Sequence, residues 1–120
     1  MAALIDEEAL LERVAGDPLF LASMVDLFVL DAPARLAAIR QGLGRADAHA
    51  VERAAHSLKG ALATMAADAA AAEAFRLEEL GRSGTLQGAE LILAALESQV
   101  ARVTEALRAL VDGFTPNDAA

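Results

Sequence analysis

The segment VERAAHSLKGALATM, residues 51–65, has the clearest periodic pattern in this chain of 120 residues. Residues advance by about 100° each around an α-helix, so five apolar side chains of this segment would lie within a stripe roughly 80° wide. They follow one another at intervals of 4, 3, 4 and 3 residues and are Val51, Ala55, Leu58, Leu62 and Met65. That spacing is typical of a helix that packs one face against a core. It predicts a helix over 47–67.

The rest of the chain is predicted to be helical too, because it is rich in Ala, Leu, Glu, Arg and Gln and lacks lasting apolar/polar alternation. Turn-forming residues divide it at 16–18, 42–47, 81–85 and after 111. Asp17 and Asp47 are expected to cap the helices that follow them. The other predicted helices lie at about 6–15, 17–42, 68–81 and 85–111.

Short loops between long amphipathic helices favour antiparallel neighbours. The predicted fold is therefore all-α, an antiparallel up-down-up-down four-helix bundle with a short extra N-terminal helix. The length fits a single domain over 1–120, with flexible ends at 1–5 and 113–120. Pro33 should kink the second helix without splitting it, because the apolar stripe continues beyond it at Leu36 and Ile39.

Composition excludes several classes of function. The chain has 18 acidic and 10 basic residues, a net charge of −8, and no Trp or Tyr, which argues against binding to nucleic acid or to an anionic membrane. Without cysteine there is no disulfide, cysteine–zinc site or thiol catalysis. No apolar run reaches the ~20 residues of a membrane span, and the acidic N-terminus is unlike a secretory signal. A free-standing, monomeric cytoplasmic protein is expected.

The other side of the 47–67 helix carries a histidine in unusual surroundings. His56 lies roughly 140° from the apolar stripe, so it is predicted to be at least partly exposed. Lys59, one turn away on the same flank, is the only lysine among the ten basic residues. Gly60 costs a helix interior about 1 kcal/mol relative to Ala, and its missing Cβ would leave room beside the imidazole. The three residues together suggest a place for a bulky group, such as a phosphoryl group or the backbone of a partner.

The pentapeptide His56-Ser57-Leu58-Lys59-Gly60 resembles the signature H-x-[IL]-K-G of histidine-containing phosphotransfer (HPt) domains. Leu77-Glu78 stands where that family usually has a Leu-Glu pair. The segment 28–36 and the turn 46–48 are also similar, so the resemblance covers about 18–80, and the helix order extends it to 111. Three positions depart from the family pattern. Ala66 stands in place of the usual Gly, and this change is expected to extend the helix. Ala70 and Glu73 stand in place of larger apolar residues, as would fit a fourth helix that is rotated or starts late.

The resemblance implies a covalent carrier without turnover of its own. His56 would take a phosphoryl group from a sensor or hybrid histidine kinase or a receiver aspartate and pass it to another receiver domain of a response regulator. Histidine suits this role because much of it is neutral near pH 7. Lys59 and Gly60 would accommodate the phosphoryl group. The catalytic Mg²⁺ would belong to the receiver domain, so no cofactor or metal is expected on this chain.

A docking surface is expected around the histidine, with Glu52, Arg53, Ala63 and Ala67 as candidates. One alternative function is a helical docking module that binds a signalling partner through the same surface and whose histidine is never phosphorylated. Another alternative is a metal site formed by His49, Glu52 and His56. The two histidines are seven residues apart, roughly 10.5 Å along a helix, which is too far for chelation from one helix.

Overall fold

A computed structural model describes residues 4–114. Its five helices are α1 (Glu7–Arg13), α2 (Pro18–Gly44), α3 (Ala48–Thr64), α4 (Asp68–Ser83) and α5 (Ala89–Phe114). α2 packs against α3 and α5, and α4 packs against the same two helices. The predicted four-helix bundle with a short N-terminal helix is confirmed. No described helix is long and apolar enough to cross a membrane.

The helix starts follow the predicted capping residues. The Asp17 carboxylate accepts hydrogen bonds from the backbone N–H groups of Leu19 and Phe20, and Asp47 accepts one from Ala50. These side chains satisfy donors that the first turn of a helix leaves without a partner. α2 continues through Pro33 without splitting, as predicted. α5 begins at Ala89 rather than at the predicted 85, because Gly88 has a left-handed φ of 84° that a helix cannot continue through.

The apolar seam predicted for α3 lies in the core. Val51, Ala55, Leu58 and Leu62 are fully buried on α3. They meet buried side chains of the neighbouring helices, among them Leu21, Val25, Ile39, Leu77, Leu93, Leu96 and Leu107. Burial of each large side chain contributes roughly 1.5–3 kcal/mol, so the α3 seam holds its opposite face towards solvent.

α1 closes the end of the bundle at the α3–α4 turn. Arg13 Nη1 donates to the carbonyl oxygens of Ala63 (2.6 Å) and Thr64 (2.9 Å), and the Asp6 N–H donates to the Ala66 carbonyl (2.9 Å). The ends predicted to be flexible, 1–5 and 113–120, overlap the described residues at Leu4, Ile5, Gly113 and Phe114. Ile5 is buried in the core as a large apolar side chain, and α5 extends to Phe114. The rest of those two ends, apart from Leu4, lies outside the described range.

The expectation that Ala66 extends α3 is wrong, and the predicted start of α4 at 68 excludes the late start that is one of the two interpretations of Glu73. Ala66 does not extend α3, because the helix ends at Thr64 and Ala66 adopts a left-handed φ of 57°. Its N–H bonds to the Ala63 carbonyl, while the next N–H bonds back to Leu62, which is the pattern that closes a helix C-terminus. A glycine at this position would meet the same requirement without strain. α4 starts at Asp68, not late, and Glu73 lies on its flank, paired with Arg76 at 3.1 Å.

Alanines in left-handed conformations end three helices, with φ of 52° at Ala15, 53° at Ala46 and 57° at Ala66. A residue with a Cβ is strained by roughly 1–2 kcal/mol in this conformation. Replacement with glycine relieves the strain, but part of the gain is lost because glycine has more conformational freedom in the unfolded chain. Ala15 and Ala46 are exposed, so replacing either loses little packing. We therefore expect Ala15→Gly and Ala46→Gly each to raise the free energy of unfolding by about 0.5–1 kcal/mol in urea titrations.

The matched control is Ala37→Gly, an exposed alanine inside α2. There the same substitution should lower the free energy of unfolding by about 1 kcal/mol, because glycine is a poor helix former. A similar loss at all three positions would contradict the idea of strain at the helix ends.

Candidate functional site

His56 lies on the solvent side of α3, as the position of the apolar seam predicts. Its side chain is 67% exposed, whereas Ala55 and Leu58 on either side of it are fully buried. A core role for this imidazole is therefore excluded. One ring nitrogen, Nδ1, points towards α4, which packs against α3 at this position.

The partner of that nitrogen is Glu78, a buried carboxylate on α4. Glu78 is 3% exposed, and its Oε2 lies 3.1 Å from His56 Nδ1. An ionised carboxylate can only accept hydrogen bonds, so the ring hydrogen of neutral His56 belongs on Nδ1. The other nitrogen, Nε2, is then left with its lone pair free, on the side of the ring away from Glu78.

Two cations share the same carboxylate. Lys59 Nζ forms an ion pair with Glu78 Oε1 at 2.8 Å, and Arg82 Nη2 donates to Oε2 at 2.8 Å. Arg82 also reaches Glu52 through Nε, at 3.2 Å. Burial raises the pKa of Glu78, but the contacts from Lys59 and His56 outweigh it, so the net pKa lies below its usual 4.5. Glu78 is therefore ionised at neutral pH and fixes both the imidazole and the ammonium.

This arrangement makes the stability of the fold depend on pH. Because the folded pKa of Glu78 is below the unfolded value, its contribution is fully present above about pH 4.5 and is lost as the pH falls through the folded pKa. We expect Glu78→Gln to lower the free energy of unfolding at pH 7 by about 1–3 kcal/mol, because His56, Lys59 and Arg82 lose the ionised acceptor that they share. Urea titrations from pH 7 to pH 3 should also show a smaller acid-induced loss for the variant than for the unaltered protein.

The matched control is Glu79→Gln, one residue further along α4, whose side chain is 57% exposed. It should change the free energy of unfolding little at any of these pH values. If the free energy of unfolding fell equally with acid in Glu78→Gln and in the unaltered protein, the conclusion that Glu78 is held ionised in the folded state would be contradicted.

The two phosphate-binding candidates occupy different surroundings. Gly60 is exposed, and a Cβ built on it would meet no atom within 4 Å, so there is open space beside the histidine turn. Lys59, by contrast, is 29% exposed and is already held by Glu78. It is thus pre-positioned beside His56 rather than free in solution.

Of the four candidates for a docking surface, three lie on the accessible surface of α3 and one does not. Arg53 and Ala63 are exposed on α3, and Glu52 is half-buried in its ion pair with Arg82. Ala67 is fully buried, because it lies in the closed turn between α3 and α4, where its N–H bonds to the Leu62 carbonyl. The prediction that Ala67 contacts a partner is therefore wrong.

An open cleft of about 430 Å³ runs beside the imidazole. Its walls come from α3 and α4 and are mostly charged, formed by His49, Glu52, Arg53, His56, Glu78 and Arg82. No group of three or more His, Cys, Asp or Glu within residues 4–114 could hold a metal ion. His49 Nδ1 lies only loosely near Glu52, at 3.7 Å.

Sequence reasoning did not assign roles to Glu78 and Arg82. Glu78 was visible only as part of a Leu-Glu pair, and Arg82 only as a residue of a turn. Their positions four residues apart on one helix face were a usable signal, since such pairs commonly interact. The sequence did not show that this face of α4 packs against His56.

The comparisons with known proteins agree on one family. The family model described as Hpt domain matches residues 23–110, a range that includes all of α3 and α4. The crystal structure of histidine-containing phosphotransfer protein B (HptB) from Pseudomonas aeruginosa PAO1 is similar at 31% sequence identity and a TM-score of 0.83. The match covers 96% of this chain and 100% of that one. No curated protein sequence matches the chain.

Proposed function

Because this chain belongs to the Hpt domain family and has a histidine phosphotransfer role in a phosphorelay, we propose that His56 is the residue that carries the phosphoryl group. The observation that supports this is the His56–Glu78 contact at 3.1 Å, which occupies Nδ1 of a side chain that is 67% exposed and leaves Nε2 as the nitrogen free to react. Family members act with receiver domains and histidine kinases. We propose the same classes of partner for this chain, which would act in the cytoplasm as a monomer.

In the proposed reaction, the lone pair of Nε2 attacks the phosphorus of a receiver aspartyl phosphate. The N–P bond forms as the P–O bond to the aspartate breaks, and the receiver carboxylate leaves. The hydrogen on Nδ1 stays in place, so the ring becomes cationic as the N–P bond forms. The ionised Glu78 stabilises that charge and holds the ring in the correct tautomer. The reverse sequence passes the group to another aspartate.

The neighbouring residues have supporting roles in this proposal. The Lys59 ammonium is held by the same carboxylate as His56 and would offset the charge of the phosphoryl oxygens, and Gly60 keeps the adjacent surface open. Arg53, Ala63 and Glu52 lie on the surface that a receiver would cover. Mg²⁺ would be bound by the receiver domain and not by this chain, which would act as a carrier without turnover of its own.

The test is a transfer assay with the purified chain. A panel of receiver domains from the same genome is phosphorylated and mixed with it, and the label is followed. We expect an acid-labile, alkali-stable label on the chain, which peptide mass spectrometry locates at His56. If every receiver is competent and the chain takes no label, it acts instead as a docking module that is never phosphorylated. In that case the chain should still capture receiver domains in a pull-down.

A further inference from the structure

Phe75 of α4 lies against the ammonium that the proposed function assigns to the phosphoryl group. The Nζ atom of Lys59 lies 4.9 Å from the centroid of the Phe75 ring, within the range of a cation–π interaction. Phe75 is 39% exposed and is one of four phenylalanines in a chain without Trp or Tyr. Its exposure sets it apart from Phe28, which is 6% exposed in the core.

One face of α4 thus holds the same ammonium in two ways. Phe75 and Glu78 are three residues apart, which places them next to each other on the helix surface. Glu78 Oε1 binds the Lys59 Nζ at 2.8 Å, while the ring lies at 4.9 Å from the same atom. Lys59 projects from α3 into the space between a carboxylate and an aromatic face.

The two contacts behave differently when a second anion arrives. A phosphoryl group on His56 competes with Glu78 for the ammonium, because both carry formal negative charge. An aromatic ring attracts a cation through its quadrupole and has no charge to oppose a phosphoryl group. The ring can therefore keep the ammonium beside His56 while the ion pair to Glu78 is exchanged for contacts with phosphoryl oxygens.

We propose that Phe75 is a positioning residue that holds the Lys59 ammonium beside His56 during phosphoryl transfer. The proposal rests on the proposed roles of His56 and Lys59. Phe75 does not touch the reacting atoms in it and acts only through Lys59. An aromatic residue that merely covered a partner would act on binding instead, whether or not Lys59 were present.

A double-mutant cycle tests the proposal, with transfer rates measured at saturating receiver so that binding does not limit them. Phe75→Leu keeps an apolar side chain but removes the ring, and we expect transfer to slow about threefold. Phe75→Tyr keeps the ring and should transfer at nearly the original rate. In a Lys59→Gln background, Phe75→Leu should have no further effect.

Several results would overturn the proposal. A threefold loss from Phe75→Leu in both backgrounds would make Phe75 a packing or docking residue, and no loss in either background would give the ring no role. The failure of the proposed function itself looks different, because then even the unaltered chain takes no label.

Proton NMR of the unaltered chain gives a measurement that does not depend on any variant folding. Lys59 is the only lysine, so its ε-methylene signal can be assigned directly. We expect that signal to be shifted upfield by the Phe75 ring. An unshifted signal would overturn the contact on which the proposal depends.

Discussion

His56→Gln will leave the chain folded but unable to accept a phosphoryl group, with transfer lowered by at least about a thousandfold, as expected when a covalent nucleophile is lost. The amide nitrogen of Gln has its lone pair delocalised and is no nucleophile, although it can still donate to Glu78. Because the His56 side chain is 67% exposed, its replacement removes little packing. Circular dichroism and urea titration should therefore show an almost unchanged fold.

The control for this variant is His49→Gln, on the same helix and 74% exposed. The control variant should accept label at nearly the original rate. His49 lies 3.7 Å from Glu52, so no carboxylate holds its ring as Glu78 holds that of His56. Label that persists in His56→Gln but disappears in His49→Gln would reject the assignment of the site. Label lost from both would point to a general effect on docking.

Gly81→Ala is expected to have the largest effect on the scaffold that positions the site. A Cβ at this point of α4 would lie 2.6 Å from the backbone nitrogen of Glu52 and 2.7 Å from the carbonyl oxygen of Ala48. Backbone atoms cannot yield as a flexible side chain does, so α4 must move away from α3. We expect a loss of about 1–3 kcal/mol in the free energy of unfolding, measured in urea.

The same movement should disturb the site, because Glu78 and Arg82 are on the displaced helix and their partners His56 and Glu52 are on α3. Slower phosphoryl transfer should therefore accompany the loss of stability. Gly60→Ala is the matched control, since its added Cβ would meet nothing within 4 Å. That variant should gain about 1 kcal/mol from better helix propensity. Equal losses of stability in both variants would contradict close helix contact as the reason for Gly81.

Much of the candidate site was accessible from residue spacing within one helix. The exposure of His56, and the position of Lys59 and Gly60 one turn away, follow from the helical period and from the apolar seam opposite them. The error at Ala67 has a different origin. It rested on extending α3 three residues too far, and the end of that helix depends on a left-handed Ala66, a conformation that alanine by itself disfavours.

The features that the amino-acid sequence determined by itself all depend on local interactions. Periodicity, capping aspartates and the pentapeptide at 56–60 act within a few residues, so they established the helical class, the bundle and the exposed histidine. The tertiary structure alone decided which residues surround that histidine. Glu78, Arg82 and Phe75 are 19 to 26 residues away along the chain, and only the packing of α4 against α3 at Gly81 brings them to the site. That packing depends on side-chain shapes from both helices at once, which no pattern within one helix contains.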